Sequence, residues 1–162
     1  MTPCYPAERM DRKFLIAANW KMNPAPAGFD APDSPYRAHA DVDVVVLPSF
    51  MDLHRCIETK LITGAQTGRP EASGAFTGDV SVAMLKTLGC RYVLCGHSER
   101  RRYHDETDAF IAQQAIAALE AGLHPIVCVG ETDEERKKNQ QKKAVERQMK
   151  ALPQGIFIAY AA

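Results

Sequence analysis

The chain has 162 residues, of which 46% are apolar and 25% are charged, so its length and composition suit one compact domain with a buried core. Its 20 basic and 20 acidic side chains cancel, which leaves no excess positive charge to attract nucleic acid or an anionic membrane. The longest apolar runs are far shorter than the roughly 20 residues that a membrane-spanning helix needs. Small molecules and proteins remain as the expected partners.

Six short apolar runs predict six β-strands. In chain order they are Phe14–Ala18, Val42–Leu47, Leu61–Gln66, Tyr92–Cys95, Ile126–Val129 and Ile156–Tyr160. The runs are continuous rather than alternating in polarity, which is typical of strands buried on both faces of a parallel sheet.

Helical patterns lie between some of these strands. The clearest is Asp108–Ala121, where apolar residues recur at three- and four-residue spacing, with Thr107 or Asp108 as the N-terminal cap and Gly122 at the end. A second helix is predicted over about Asp133–Leu152, and we interpret its basic first half as a solvated helix face. Strands alternating with helices indicate a parallel α/β architecture.

Two connections look irregular. Residues 23–36 contain four prolines, which excludes one regular helix. The stretch "GRPEASGAFTGDVS" is rich in glycine and predicts a long exposed loop, of the kind that is often functional or interfacial.

The cysteines indicate a reducing compartment. They are odd in number, scattered and without CxxC spacing, unlike a disulfide framework or a metal-binding knuckle: Cys4, Cys56, Cys90, Cys95 and Cys128. We therefore expect a cytoplasmic protein.

Polar residues follow several of the predicted strands. No GxGxxG or GxxxxGK[ST] motif follows the first strand, so a dinucleotide site or P-loop is not indicated. The carboxyl ends of the strands instead carry Asn19, Lys21, Gln66, His97 and Glu131. Each has an ordinary structural explanation by itself, but together they match a barrel, whose catalytic groups come from the carboxyl ends of different strands.

Four segments, "AANWKMN", "SGAFTGDVS", "CGHSERR" and "PIVCVGET", resemble in order and spacing the strand-end motifs of the triosephosphate isomerase family. The resemblance covers Lys13 to Tyr160. It implies a (β/α)8 barrel that interconverts dihydroxyacetone phosphate and D-glyceraldehyde 3-phosphate through an enediolate, in glycolysis and gluconeogenesis. It implies no cofactor and no metal. We expect residues 1–12 to be an N-terminal extension and 13–162 an incomplete barrel domain.

The resemblance also assigns site residues. It implies that Lys21 is the cation facing the substrate, that Asn19 is a substrate-binding partner and that His97 is a neutral electrophile. A helix beginning at Ser98 or Glu99 would disfavour a second proton on His97 through its free amides and positive dipole end. The resemblance also places Glu99 in the catalytic set with His97 and Lys21, as the family acid beside Lys21, although a helix-start carboxylate is its structural alternative.

Residues outside the catalytic set have expected roles too. The loop carrying Phe76 and Thr77 matches the family segment that reaches into a neighbouring subunit, so the resemblance implies a homodimer. Cys128 is expected to pack near the site, and Arg100 and Arg101 to form ion pairs.

The end of the sequence departs from the family pattern. The family's sixth strand continues into a catalytic glutamate, whereas here Ala161 follows "FIAY". A full barrel typically needs about 250 residues, so six strands predict an incomplete one. Three explanations stay open: a partial isomerase inactive alone, a split barrel needing a C-terminal partner, or a non-catalytic descendant that binds a phosphate ester or a protein.

Overall fold

The computed structural model describes residues 14–161, so the predicted extension over residues 1–12 lies outside the described part of the chain. Six parallel strands form one sheet in chain order, and each pairs with the next. They are β1 (Phe14–Asn19), β2 (Val42–Leu47), β3 (Ile62–Ala65), β4 (Tyr92–Cys95), β5 (His124–Val129) and β6 (Phe157–Tyr160). The prediction of about six parallel strands is confirmed.

Helices connect most of the strands. They are α1 (Leu53–Glu58), α2 (Val82–Leu88), α3 (Ser98–Tyr103), α4 (Asp108–Glu120), α5 (Asp133–Lys137) and α6 (Gln141–Met149). A 3-10 turn, Phe50–Asp52, precedes α1. None of the helices that the structure describes is long and apolar enough to cross a bilayer.

The prediction of α4 is confirmed, and the prediction of one helix over Asp133–Leu152 is wrong. Thr107 caps α4 by accepting a hydrogen bond from the Phe110 N–H at 3.2 Å. The other helix is interrupted between α5 and α6, where Asn139 has a φ of 53°. This left-handed conformation ends a right-handed helix, and asparagine adopts it more readily than most residues.

The connection between β1 and β2 contains no helix, as its prolines predict. It buries the rings of Trp20 and Phe29, which meet edge to face at 5.5 Å. Arg37 fastens the loop by donating hydrogen bonds to three backbone carbonyls, those of Asp30, Ala31 and Thr59. These contacts hold the irregular chain against β2 and α1.

The sheet curls, so side chains of strands that are not neighbours meet inside it. Leu47 of β2 and Tyr92 of β4 belong to one buried cluster, and Gly64 of β3 lies between them. A Cβ atom on Gly64 would lie 2.7 Å from a Leu47 methyl and 2.8 Å from the Tyr92 Cβ. The absence of a side chain at this position therefore permits the tight curl.

The structure is a curled half-barrel with two edges. Among the described strands, β1 and β6 each pair on one side only. Ile16 of β1 is 54% exposed and Ile158 of β6 is 42% exposed, so apolar side chains remain uncovered at both edges. The prediction of an incomplete barrel is confirmed for this part of the chain.

Candidate active site

Four predicted site residues share one cavity. Asn19, Lys21, His97 and Glu99 line a cavity of about 380 Å³ at the carboxyl ends of β1 and β4. Gln66, which follows β3, lines the same cavity. The parallel sheet brings these residues together because the carboxyl ends of its strands lie at one rim.

Lys21 has an unusual backbone conformation, with a φ of 54°. Its N–H donates to the Asn19 Oδ1 at 2.9 Å, and its carbonyl accepts from the Gln66 Nε2 at 2.7 Å. A left-handed conformation is unfavourable for a residue that has a Cβ atom. The two side-chain hydrogen bonds to the backbone of Lys21 therefore help to hold it in this conformation.

The side chain of Lys21 pairs with Glu99. The Lys21 Nζ lies 2.6 Å from the Glu99 Oε1, with the two side chains 51% and 47% exposed. The hydrogen bond from Lys21 is the main cause that lowers the pKa of Glu99 from its ordinary value, and the positive charge of Lys21 acts in the same direction. Because the pair is half-exposed, solvent screens it and it can open for an anion.

His97 occupies the turn between β4 and α3. Gly96 has a φ of 68°, which turns the chain sharply, and His97 is the N-cap of α3. The His97 Nδ1 accepts the Glu99 backbone N–H at 3.2 Å, whereas the Glu99 Oε2 lies 3.5 Å from the same nitrogen. The amide contact is the better hydrogen bond, and an accepting nitrogen carries no proton. The geometry therefore favours the neutral tautomer with its proton on Nε2.

The arginines after the histidine hold the rim of the sheet. Arg100 pairs with the buried carboxylate of Glu106 at 2.6 Å. Arg101 pairs with Asp108 at 2.6 Å and donates to the carbonyls of Gly96 and Cys128 at 2.9 and 3.2 Å. The predicted ion-pairing roles of both arginines are confirmed.

Cys128 packs in β5, as predicted. Its side chain belongs to the buried cluster inside the curl, and burial raises the pKa of its thiol to about 11. A thiol this weakly acidic is not a nucleophile at neutral pH.

Glu131 does not line the cavity that the other four strand-end residues share. It lines a second cavity, of about 810 Å³, together with His97 and Ala161. Its carboxylate, 0% exposed, accepts the Tyr160 hydroxyl at 2.8 Å and pairs with Arg136 at 2.5 Å. The hydrogen bond from its own backbone N–H, then those contacts, lowers the pKa of Glu131. Convergence of all five strand-end residues in one cavity is therefore corrected to four.

Comparison with known protein families matches residues 14–160 to triosephosphate isomerase, which is nearly the whole described chain. The chain belongs to the triosephosphate isomerase family. The resemblance drawn from the four sequence motifs is confirmed.

Curated triosephosphate isomerases of mycobacteria are similar to this member of the family. The chain is 49% identical to the one from Mycobacterium bovis (strain BCG / Pasteur 1173P2) over an aligned length of 138, and the match covers 75% of this chain and 51% of the relative. It is 43% identical to the one from Mycobacterium leprae (strain TN) over an aligned length of 163, and the match covers 91% of this chain and 61% of the relative. The chain thus spans between half and two thirds of the length of these triosephosphate isomerases.

The loop predicted to contact a second subunit is held by contacts within its own chain. The Arg69 guanidinium lies 3.7 Å from the centre of the Phe76 ring and pairs with Asp79 at 2.9 Å. Thr77, at the tip, is exposed. An interface role for Phe76 and Thr77 in this triosephosphate isomerase family member stays a prediction.

Gln66 is the residue whose contacts sequence reasoning missed. Its position after β3 marked it as a polar strand-end residue, but nothing in the sequence indicates which backbone groups its amide binds. Those groups belong to residues 19 and 45 positions away, Leu47 and Lys21.

Proposed function

We propose that this chain carries the carbonyl-polarising half of a triosephosphate isomerase site, and that a carboxylate base and phosphate-binding loops complete it. The observation that carries the proposal is the single cavity in which Asn19, Lys21 and His97 meet. The substrates would be dihydroxyacetone phosphate and D-glyceraldehyde 3-phosphate. The family match and the relatives' names support this substrate class.

Lys21 would bind the anionic substrate. Its ammonium is half-exposed at the rim of the cavity and already faces one carboxylate, that of Glu99. An incoming phosphate ester can replace this carboxylate, or share the Lys21 ammonium with it, because half-exposed ion pairs are weak. Glu99 would keep Lys21 in place between turnovers.

His97 would stabilise the charge that develops on the substrate's oxygens. When a base removes a proton from the carbon beside the carbonyl, negative charge moves onto the carbonyl oxygen and an enediolate forms. The Nε2–H of a neutral imidazole can donate to that oxygen and carry a proton between the two oxygens. A proton returned to the neighbouring carbon completes the isomerisation.

The base itself would come from outside the described residues. Ala161 lines the second cavity beside His97, and a methyl group cannot accept a proton. We therefore expect turnover only when another segment, in the same chain or in a partner, supplies a carboxylate there. The two edge strands, β1 and β6, favour this completion over binding alone, because unpaired strand edges are sites for further pairing.

The wider setting is part of the proposal. The barrel domain would span residues 13–162, work in the cytoplasm in glycolysis and gluconeogenesis, and form a homodimer through the loop of Phe76 and Thr77. The exposure of Thr77 supports the dimer.

A complementation assay tests the proposed function. The 162-residue chain is mixed with the C-terminal remainder of the Mycobacterium bovis relative, beginning after the strand that corresponds to β6, and isomerisation is followed by coupled NADH oxidation. We expect turnover from the mixture, background from either part alone, and loss of turnover when the chain carries His97→Gln. Normal turnover by the chain alone would refute the need for a supplied base.

Calorimetry with dihydroxyacetone phosphate separates the remaining alternative. Saturable binding to the chain without turnover in any mixture would favour a phosphate-ester-binding protein. Heats at the level of dilution from the chain alone would remove the binding function, and the same result from the mixture would remove the isomerase function as well.

A further inference from the structure

The geometry points to Gln66 as a positioning residue, which holds the backbone of Lys21 in the conformation that presents its ammonium to the site. This inference rests on the proposed function, since it concerns the same cavity.

The amide of Gln66 bridges two strand ends. Its Nε2 donates to the carbonyl of Lys21 at 2.7 Å and to the carbonyl of Leu47, the last residue of β2, at 2.9 Å. Both partners are carbonyl oxygens, which only accept hydrogen bonds, so the NH₂ group must face them. Gln66 itself directly follows β3, so three consecutive strands meet at this one side chain.

The carbonyl of Leu47 is shared with the residue before Lys21. It accepts the Trp20 N–H at 3.1 Å as well as the Gln66 amide. The chain at the end of β1 is therefore tied to the end of β2 immediately before Lys21, and Gln66 ties it again at the carbonyl of Lys21. Contacts on both sides of Lys21 therefore fix its backbone angles.

Lys21 needs such fixing because its φ is 54°. A lysine has no intrinsic preference for this region, which persists when surrounding contacts enforce it. Asn19 holds the N–H of Lys21, but Asn19 is also an expected substrate ligand. Gln66 is the contact on the carbonyl side, so its loss would let the peptide after Lys21 rotate and the ammonium leave Glu99.

The test compares Gln66→Met with Gln148→Met in the full chain. Methionine keeps the length of the side chain and removes the amide. Gln148 is a matched control, because within the described part of the chain its amide binds the backbone of Gly130 and it does not line the cavity of Lys21. Circular dichroism and urea unfolding establish that both variants are folded before either is compared.

The deciding measurement is the carbon spectrum of the chain labelled with ¹³C at the lysine ε position, recorded without substrate. The Lys21 signal is assigned by its disappearance in Lys21→Met. We expect Gln66→Met to move this signal to the position of freely exposed lysines and Gln148→Met to leave it in place. An unchanged Lys21 signal in folded Gln66→Met would overturn the inference.

Substrate binding separates this inference from the proposed function. Dihydroxyacetone phosphate should shift the Lys21 signal of the unsubstituted chain and bind about tenfold more weakly to Gln66→Met, as expected when a charge-assisted contact between the Lys21 ammonium and the anion is weakened. No shift in the unsubstituted chain would count against the proposed function alone, because the substrate-free comparison would still report on Gln66. Equal affinity of Gln66→Met and the unsubstituted chain would count against the positioning role.

Discussion

The charges of the candidate site are set by pairs of neighbouring groups. The Lys21 ammonium faces the Glu99 carboxylate, and the Glu99 backbone N–H faces the His97 ring. Glu99 is thus connected to the two other expected catalytic residues, to Lys21 through its side chain and to His97 through its backbone. Its side chain can be changed without removing the contact to His97.

Removing the ammonium of Lys21 should raise the pKa of Glu99. The hydrogen bond from Lys21 is the largest cause of its lowered pKa, so Lys21→Met should return that pKa toward the ordinary value of 4.5. The ¹³C shift of the Glu99 carboxyl carbon, followed from neutral to acid pH, measures the change. Lys86→Met is the control, because Lys86 binds the carbonyl of Gly122 instead. Identical Glu99 titrations in all three proteins would show that the pair does not form in solution.

The tautomer of His97 should be visible by ¹⁵N spectroscopy at neutral pH. Because Nδ1 accepts the Glu99 amide, we expect a pyridine-like shift for Nδ1 and a pyrrole-like shift for Nε2. His54, whose Nδ1 lies 3.3 Å from the Glu58 Oε2 and not against a backbone N–H, provides a contrasting ring in the same spectrum. The opposite assignment for His97 would contradict its proposed role as an Nε2–H donor.

At the scale of elements, the turn from β4 into α3 depends on Gly96. Its φ is 68°, and a Cβ atom there would lie 2.6 Å from the Cδ1 of Ile111, a buried residue of α4. A side chain at position 96 would therefore push α4 away from the strand end that presents His97.

Gly96→Ala should destabilise the fold more than Gly28→Ala. Gly28 has a similar φ, 73°, but a Cβ atom there would meet nothing within 4 Å. The left-handed conformation alone costs about 1–2 kcal/mol, which is the loss expected for Gly28→Ala. Gly96→Ala adds the clash with Ile111 and should lose roughly 1–3 kcal/mol more. Urea unfolding measures both, and equal losses would show that Ile111 moves aside freely.

The elements also show what sequence reasoning could and could not reach. The strands and α4 were predictable, because their apolar runs and spacing reflect burial that the fold requires. The break at Asn139 was missed, since a polar stretch without an apolar stripe does not reveal one residue's left-handed conformation. The convergence of Asn19 and His97 was predictable, because the carboxyl ends of parallel strands lie at one rim of the sheet. The contacts of Glu131 were not, because they depend on distant residues that no local pattern identifies.

At the scale of the whole molecule, the half-barrel is fastened at its β6 edge by Glu131. This buried carboxylate, which follows β5, accepts the hydroxyl of Tyr160 at the end of β6. It connects an edge strand to the interior of the sheet. The stability of that edge should therefore depend on the ionisation of Glu131.

Stability should fall in acid through Glu131. Its pKa is lowered in the folded chain, so between that pKa and the ordinary value of 4.5 the unfolded chain binds more protons and stability rises with pH. The contribution is present above 4.5 and is lost as pH falls through the folded pKa. Urea unfolding at several pH values should give a shallower acid dependence for Glu131→Gln. A slope equal to that of the unsubstituted chain would contradict this.

We propose that one cavity of this half-barrel recognises a triose phosphate through Asn19, Lys21 and His97. A ¹H–¹⁵N titration of the 162-residue chain with dihydroxyacetone phosphate tests it most directly. We expect saturable shifts that cluster at these three residues and at Glu99, and that vanish in Lys21→Met. Shifts that are absent, or that cluster away from the carboxyl ends of β1 and β4, would contradict it.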